Sequence, residues 1–336
     1  MDQKSLITST KPVNESEEVL EVSLRPSNFD EIIGRVLEKK NLTMMIESAK
    51  MRKKSLDHVL FHGPPGLGKT SFAYVIAKEM GTAIYTTNGS VLDKVGDLAA
   101  ILTSLEPNSI LFIDEIHRLK TQIEEMLYPA MEDKVLDIII GKGPNAKTLR
   151  IDLPEFTVIG ATTKLSMLSS PLRDRFGMNF RLDFYSDEEL TELVVQKAQK
   201  LGVKISIEAA KEIAKRSRMT ARIAIRILKR VRDMTIVKSQ ESITVDSVKE
   251  TLGMLEVDDD GLDTLDRQLI KIILFDFGNK PVGLTTLAIS LSEEAETIES
   301  VYEPFLIKKG FLKRTPRGRV VTDRGMKLFN FQETIV

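Results

Sequence analysis

Apolar residues along the chain follow two alternating patterns: short unbroken runs, and longer stretches in which they return every three or four positions. Val59-Leu60-Phe61, Ala83-Ile84-Tyr85-Thr86-Thr87, Ile110-Leu111-Phe112-Ile113 and Phe156-Thr157-Val158-Ile159 have the composition of strands buried on both faces. Between them, residues 37–51, the set Phe72, Val75, Ile76 and Met80, and residues 96–105 and 124–132 carry helical spacing. Gly81 stands where the second of these helices needs a C-cap. Strands alternating with helices predict an α/β fold around a parallel sheet.

One segment breaks the alternation. Residues 135–140 and 148–153 are β-rich arms around a turn-rich centre at 141–146, which predicts a hairpin. Leu149, Ile151 and Leu153 alternate, so one face is apolar. That face either packs on the domain's own core or projects as a docking surface.

Near 183–186 the strands cease. Ser186-Asp187-Glu188-Glu189 fits a capping box. Helices are predicted over 189–201, 207–218, 221–238 and 246–255, then an exposed linker at Asp258-Asp259-Asp260-Gly261. Beyond it, helices at 265–275, 284–291 and 298–307 precede two β arms around Pro316-Arg317-Gly318, the winged-helix pattern. The predicted organisation is a flexible polar tail over 1–20, a large α/β domain over 21–184, a small helical domain over 185–256 and a winged-helix domain over 257–336.

Composition narrows the function classes. A net charge of −1 excludes a uniformly basic protein but leaves room for local patches. The chain has no cysteine, which excludes disulfides, thiolate metal sites and cysteine nucleophiles. It has no tryptophan and scattered Tyr and Phe, so no aromatic platform for single-stranded bases is expected. The N-terminus lacks the apolar core of a secretory signal, and no run approaches the ~18 apolar residues of a membrane span. A cytoplasmic protein with no membrane contact is expected.

Four stretches carry chemistry. Gly63-Pro64-Pro65-Gly66-Leu67-Gly68-Lys69-Thr70 satisfies the phosphate-binding P-loop and lies between a predicted strand and a predicted helix, as that motif requires. Its glycines admit the phosphates, Lys69 reaches the β- and γ-phosphates, and the Thr70 hydroxyl holds Mg²⁺. Ile110 to Ile113 delivers Asp114 and Glu115 at a strand's carboxyl end, where α/β folds bind ligands. Asp114 is placed to hold Mg²⁺ through water and Glu115 to polarise an attacking water. Thr162 and Thr163 end another buried strand and are candidates to sense the γ-phosphate. In Pro171-Leu172-Arg173-Asp174-Arg175-Phe176-Gly177, either arginine salt-bridges Asp174 locally or points across a subunit boundary as an arginine finger.

Two basic clusters lie further on. Lys215, Arg216, Arg218, Arg222, Arg226, Lys229, Arg230 and Arg232 are expected to form mostly a solvated face, with Arg222 reaching nucleotide. Lys308, Lys309, Lys313, Arg314, Arg317, Arg319, Arg324 and Lys327 gather around the wing against the single acid Asp323. With no Asn or Gln there to read bases, the expected mode is phosphate contact with little sequence preference. A winged helix used only for protein contacts is the alternative.

Together these parts resemble an AAA+ ATPase. Leu24-Arg25-Pro26, GPPGLGKT, DEIHRL, LYPAMED, IGKGP, IGATT, PLRDRFG and RTPRGR, spread over almost the whole chain, are similar to the RuvB family of Holliday junction branch-migration motors. The resemblance implies a homohexameric ring that hydrolyses ATP with Mg²⁺ and pulls duplex DNA from a junction bound by RuvA. By motif it places Leu24 and Arg25 on the nucleotide, and Gly66, Leu67, Gly68, Lys69, Thr70 and Ser71 around the phosphates. It implies Arg175 as the finger, Tyr185 and Arg222 on the lid side, and Glu132, Asp133 and Lys134 at the subunit boundary. It implies RuvA docking through 135–153, a junction resolvase in the same assembly, and DNA contact by Arg314 and Arg319. The chain departs from the family pattern at Met219-Thr220-Ala221-Arg222, where Gly-Thr-Pro-Arg is usual, and at Lys164, where arginine is usual.

Two further readings share some of these motifs. An AAA+ loader or initiator switched by ATP binds DNA without moving it, and a junction-dissociation assay separates it from a motor. A P-loop metabolic kinase needs an acceptor pocket and leaves the basic wing without a role.

Overall fold

The computed structural model describes residues 23–140 and 147–330, so the expected tail over 1–20 and the hairpin centre at 141–146 lie outside the described residues. The apolar runs become parallel strands β1 (Val59–His62), β2 (Ile84–Asn88) and β3 (Ile110–Asp114). After an antiparallel hairpin of β4 (Val135–Ile140) and β5 (Lys147–Asp152), β6 (Thr157–Thr162) and β7 (Met178–Arg181) return to the same sheet. The sheet order is β2-β3-β6-β1-β7.

Alternate residues of the central strands feed two cores. Phe61, Phe112 and Ile159 belong to one face, and Leu60, Leu111 and Val158 to the other. On the first face Phe61 lies between Phe72 and Phe180, at centroid distances of 5.1 and 5.5 Å. Burying a ring of this size contributes about 1.5–3 kcal/mol. Strand β7 carries only Phe180 as a buried apolar residue, so no apolar run announces it.

The helical domain packs Asp187–Lys200, Ile207–Lys215, Ala221–Val237 and Val245–Met254, joined by the two-residue parallel strands β8 (Lys204–Ile205) and β9 (Ser242–Ile243). The capping box forms as expected: Ser186 Oγ accepts from Glu189 N at 3.1 Å, and Glu189 Oε2 accepts from Ser186 N at 2.8 Å. Leu190, Ile213, Leu228 and Val248 continue the Phe61 core, so the first two domains share one buried cluster.

The winged-helix domain has its own core around Leu269, Ile273, Leu287, Phe305 and Phe311. Helix Thr264–Lys271 widens into a π turn at Ile272–Asp276, Leu284–Leu291 follows, and a third helical stretch ends with Glu303–Lys308. Strands β10 (Leu312–Thr315) and β11 (Gly318–Val321) form the wing, with Arg314 directly opposite Arg319.

Asp258 to Gly261 is not the exposed linker its composition suggests. Arg216 Nε donates to the Asp258 carbonyl at 3.2 Å, and its guanidinium pairs with Asp259 and Glu212. Gly261 is buried at φ +81°, and a Cβ there would stand 3.2 Å from Arg216 Cα. The segment is thus tied to a buried arginine, although the Asp259 side chain stays exposed.

The hairpin is part core and part surface. Leu136 and Leu153 at its base are buried, Ile138 and Ile151 pack partly against them, and Leu149 further out is exposed. The apolar face is therefore buried at the base of the arms and exposed further out at Leu149.

Candidate functional site

The P-loop leaves β1 through a backbone that only glycine allows. Gly63 has φ +138°, and a Cβ on it would fall 2.2 Å from the Leu182 carbonyl oxygen. Gly66 has φ +79°, and its Cβ would meet Arg222 Cβ at 3.0 Å. The loop therefore threads between β7's exit and the first turn of helix Ala221–Val237. Lys69 opens the following helix, Lys69–Met80, and is buried. Its ammonium donates to the carbonyls of Gly63 at 2.7 Å and Pro64 at 2.9 Å.

Burial lowers the Lys69 pKa to about 8, against the opposing pull of Glu115 and Asp114. The ammonium is therefore charged below pH 8 and lost above it, whereas a bound triphosphate favours the charged form. ATP affinity is expected to weaken as pH rises past 8, by up to about tenfold per unit, with proton uptake on binding. Titration calorimetry at pH 7.5 and 9 in buffers of different ionisation enthalpy measures both; flat affinity would refute the assignment.

Strand β3 ends at Asp114, whose Oδ1 accepts from Glu115 N at 3.0 Å. Burial raises the Asp114 pKa, and the neighbouring Glu115 charge adds to it. Glu115 itself sits at φ +44°. Its Oε2 accepts from Thr163 N at 3.2 Å and Thr163 Oγ1 at 3.0 Å, and lies 3.2 Å from His117 Nδ1. Burial would raise its pKa, but the bonds from His117 and Thr163 and the charge of Lys69 outweigh it and hold it at about 2. His117, buried, also lies 2.9 Å from Thr162 Oγ1, which accepts from Lys164 N at 3.0 Å. The motif DEIHRL contains this histidine, but periodicity could not show that a short turn at Ile116–Arg118 folds it back onto the glutamate.

A cavity of about 480 Å³ opens beside the loop. Leu24 and Arg25 form one wall, Gly68 and Ser71 the floor, and Tyr185 and Arg222 the far side. The Tyr185 hydroxyl donates to the Leu67 carbonyl at 3.3 Å, and Arg222 N donates to the Gly66 carbonyl at 3.2 Å. Arg216 and Arg218 depart from the expected solvated basic face, being buried. Arg222, Arg226 and Arg230 keep to it as exposed residues, and Arg226, Lys229, Arg230 and Arg232 line the same cavity. The signal was present in the spacing: Arg222, Arg226 and Arg230 recur every fourth residue on one helix face.

The unusual turn before Arg222 is made without glycine or proline. Arg218 and Met219 adopt φ +51° and +57°, a conformation costing an ordinary residue about 1–2 kcal/mol. Glycine is usual at the Met219 position because it adopts that φ freely. Lys164, the second departure, reaches the winged-helix domain: its Nζ lies 3.3 Å from Glu296, which Arg118 also holds at 2.9 Å.

Not every expected site residue meets this cavity. Arg175 lies in a second cleft lined by Lys134, His58, Glu155 and Phe156. Its guanidinium pairs with Glu132 at 3.1 Å rather than with Asp174, donates to the Pro171 carbonyl at 2.7 Å and lies 4.4 Å from the Tyr128 ring centroid. Lys134, at φ +57°, turns its ammonium onto the Met131 carbonyl and over Phe156, with Asp133 exposed beside it. The candidate residues thus divide into two separate sets.

At the wing the two arginines also part. Arg314 is exposed, 3.4 Å from Glu299. Arg319, expected to touch DNA, instead turns inward and pairs with Glu303, both of them buried. The physical reason is that Glu303 on the third helix pairs with no other cation among the described residues, and leaving a buried charge unpaired costs several kcal/mol. Arg319→Ala is expected to destabilise the domain by about 3–5 kcal/mol, measurable as a fall in its thermal midpoint. Arg314→Ala should leave that midpoint nearly unchanged.

No helix among the described residues is long and apolar enough to cross a membrane. Residues 24–182 match the model of the Holliday junction DNA helicase RuvB P-loop domain, 185–258 that of the RuvB AAA lid domain, and 259–330 that of the RuvB C-terminal winged helix domain. The Holliday junction branch migration complex subunit RuvB of Fusobacterium nucleatum is 53% identical over 324 residues, covering 96% of this chain and 97% of that one. The Thermotoga maritima RuvB Holliday junction branch migration motor shares 50% identity and superposes with a TM-score of 0.84, covering 92% of this chain and 99% of that one. A single-substitution form of the same protein gives 0.85 at the same identity and coverage.

Proposed function

The chain belongs to the RuvB family, and on that premise we propose that it is an ATP-driven motor that pulls duplex DNA to migrate Holliday junctions in recombination and repair. The observation that carries the reading is the division of the site. Lys69, Asp114, Glu115 and Thr163 converge at one end of the sheet, while Arg175 is held in another cleft. A complete site then needs the Arg175 of a neighbour, and a closed homohexameric ring supplies one to every member. Glu132, Asp133 and Lys134 border that junction between subunits.

ATP enters the large cavity with its base between Leu24, Arg25 and Tyr185, and its phosphates on the loop. Mg²⁺ fits the donor set there, a Thr70 hydroxyl and an Asp114 carboxylate, hard oxygen ligands beside two acids whose mutual repulsion a cation relieves. When bound, it would neutralise charge on the phosphates. Glu115 orients the attacking water, Thr163 and Thr162 sense the γ-phosphate, and Arg222 on the lid follows it.

Duplex DNA is held through phosphates without strong sequence preference, by Arg314 and the exposed cations around the wing. The exposed outer part of the hairpin, at Leu149, suits docking of a RuvA-type junction-binding protein, with a junction resolvase in the same cytoplasmic assembly. Arg314→Ala is expected to weaken binding equally for unrelated duplexes and to reduce the salt slope by about one.

The test is dissociation of a four-way junction with a RuvA-type protein and ATP, alongside ATP turnover with and without duplex DNA. Junction conversion that needs ATP supports the motor. DNA-dependent ATP binding with no conversion would overturn it in favour of a loader.

A further inference from the structure

Between the lid and the winged helix lies a buried ion cluster that ATP binding does not use. Arg218 on the lid is 8% exposed. Its Nη1 donates to Asp263 at 3.1 Å and pairs with Asp266, and its Nη2 donates to the Val301 carbonyl at 3.3 Å. The guanidinium also lies 4.5 Å from the Phe305 ring centroid. Asp263 and Asp266 cap helix Thr264–Lys271, each accepting from the other's backbone N–H at 2.9 and 3.0 Å. One planar group therefore grips both the first and the third helix of the winged-helix domain.

The same short turn borders the P-loop cavity on its other side. Met219 O accepts from Tyr185 N at 3.1 Å, and Arg222 N donates to Gly66 O at 3.2 Å. Between Arg218 and Arg222 the backbone runs from the core of the winged-helix domain, the head, to the P-loop. Domains joined by a short connection swivel unless something fixes their angle. Apolar contacts slide, whereas a guanidinium held through Nη1 to two carboxylates and through Nη2 to a carbonyl admits few arrangements. Arg216, two residues earlier, clasps Glu212 and the connecting segment at Asp258 and Asp259, and none of its described bonds reaches the helices of the winged-helix domain.

We propose that Arg218 is a positioning residue that makes the lid and the winged helix turn as one body. Movement of Arg222 against Gly66 then arrives at the wing as displacement of DNA. This coupling role rests on the motor reading above.

The chain contains no cysteine, so spin labels can be placed at Lys211→Cys on the lid and Lys280→Cys on the head, both exposed. In the full-length protein the label–label distance is expected to be narrow and to keep its width when a non-hydrolysable ATP analogue binds. Arg218→Ala should broaden it. Base pairs migrated per ATP hydrolysed should fall at least about fivefold, with DNA-free ATP turnover kept. Arg218→Lys, which keeps the charge but loses the guanidinium, should restore part of that ratio. A residue needed only for stability would lower turnover and migration together and leave their ratio unchanged. Should Arg218→Ala fail to fold, Asp266→Asn preserves the shape and carries the same two measurements. An unbroadened distance or an unchanged ratio would overturn the proposal. If the unsubstituted protein hydrolyses ATP without moving junctions, the motor reading fails, while the label widths still decide whether Arg218 fixes the two domains.

Discussion

Replacing Arg175 with alanine is expected to lower DNA-stimulated ATP turnover about a thousandfold or more, the effect of removing an arginine finger, while each subunit still binds ATP. The guanidinium rests against Glu132 and Tyr128, and its Nε is buried with no hydrogen-bond partner among the described residues. It is thus held near a surface without being fully satisfied there. Mixing Arg175→Ala subunits with Glu115→Gln subunits decides whether it acts on a neighbour. An interface that takes Glu115 from the first and Arg175 from the second is complete, and random mixing in equal parts makes roughly a quarter of interfaces complete. Turnover should therefore reappear in the mixture although each variant alone is inactive. No recovery would place the arginine in its own subunit's chemistry, or outside it altogether.

Glu115→Gln is expected to lower turnover about a thousandfold, within the range of a lost general base, and to leave ATP bound and unhydrolysed on the protein. In the arrangement described, Glu115 is a weak base. Its hydrogen bonds to Thr163 and His117 stabilise the carboxylate and hold its pKa at about 2. To accept a proton from water it must exchange one of those bonds for the water itself. Thr163→Val removes the hydroxyl bond, so the Glu115 pKa should rise. The glutamate works ionised, and activity is lost as pH falls through its pKa. The acid limb of the turnover profile should then move to higher pH in Thr163→Val. A limb that stays in place, followed in brief assays from pH 2 upward, would show that Thr163 does not restrain the base.

The fold was largely readable because its signals are local. The central runs are apolar on both faces, as strands covered on both sides must be, and Gly81 and Ser186 mark helix ends by chemistry that acts within a few residues. The P-loop glycines are equally local. Gly63 and Gly66 stand where no Cβ fits, and a side chain in either place would collide with Leu182 or Arg222.

What could not be read concerned charge. Arg216, Arg218 and Arg319 look like surface cations in a basic run, yet each is buried and paired with an acid at least 40 residues away or on a different element: Asp259, Asp266 and Glu303. An arginine's desolvation cost is repaid only by a partner, and nothing in periodicity names that partner. His117 met Glu115 for the same kind of reason, through one tight turn.

By itself, then, the sequence determined that a triphosphate-binding loop, two acids and a buried strand ladder share one α/β domain, followed by helices and a basic wing. Those features follow from short-range geometry and from which residues water excludes. Only the tertiary structure decided which cations are free to meet phosphate and which are spent on holding domains together. It set Arg222 into the nucleotide cavity, Arg218 between lid and head, and Arg175 in a cleft apart from Lys69. Electrostatic pairing depends on distance through space, and distance along the chain does not reveal it.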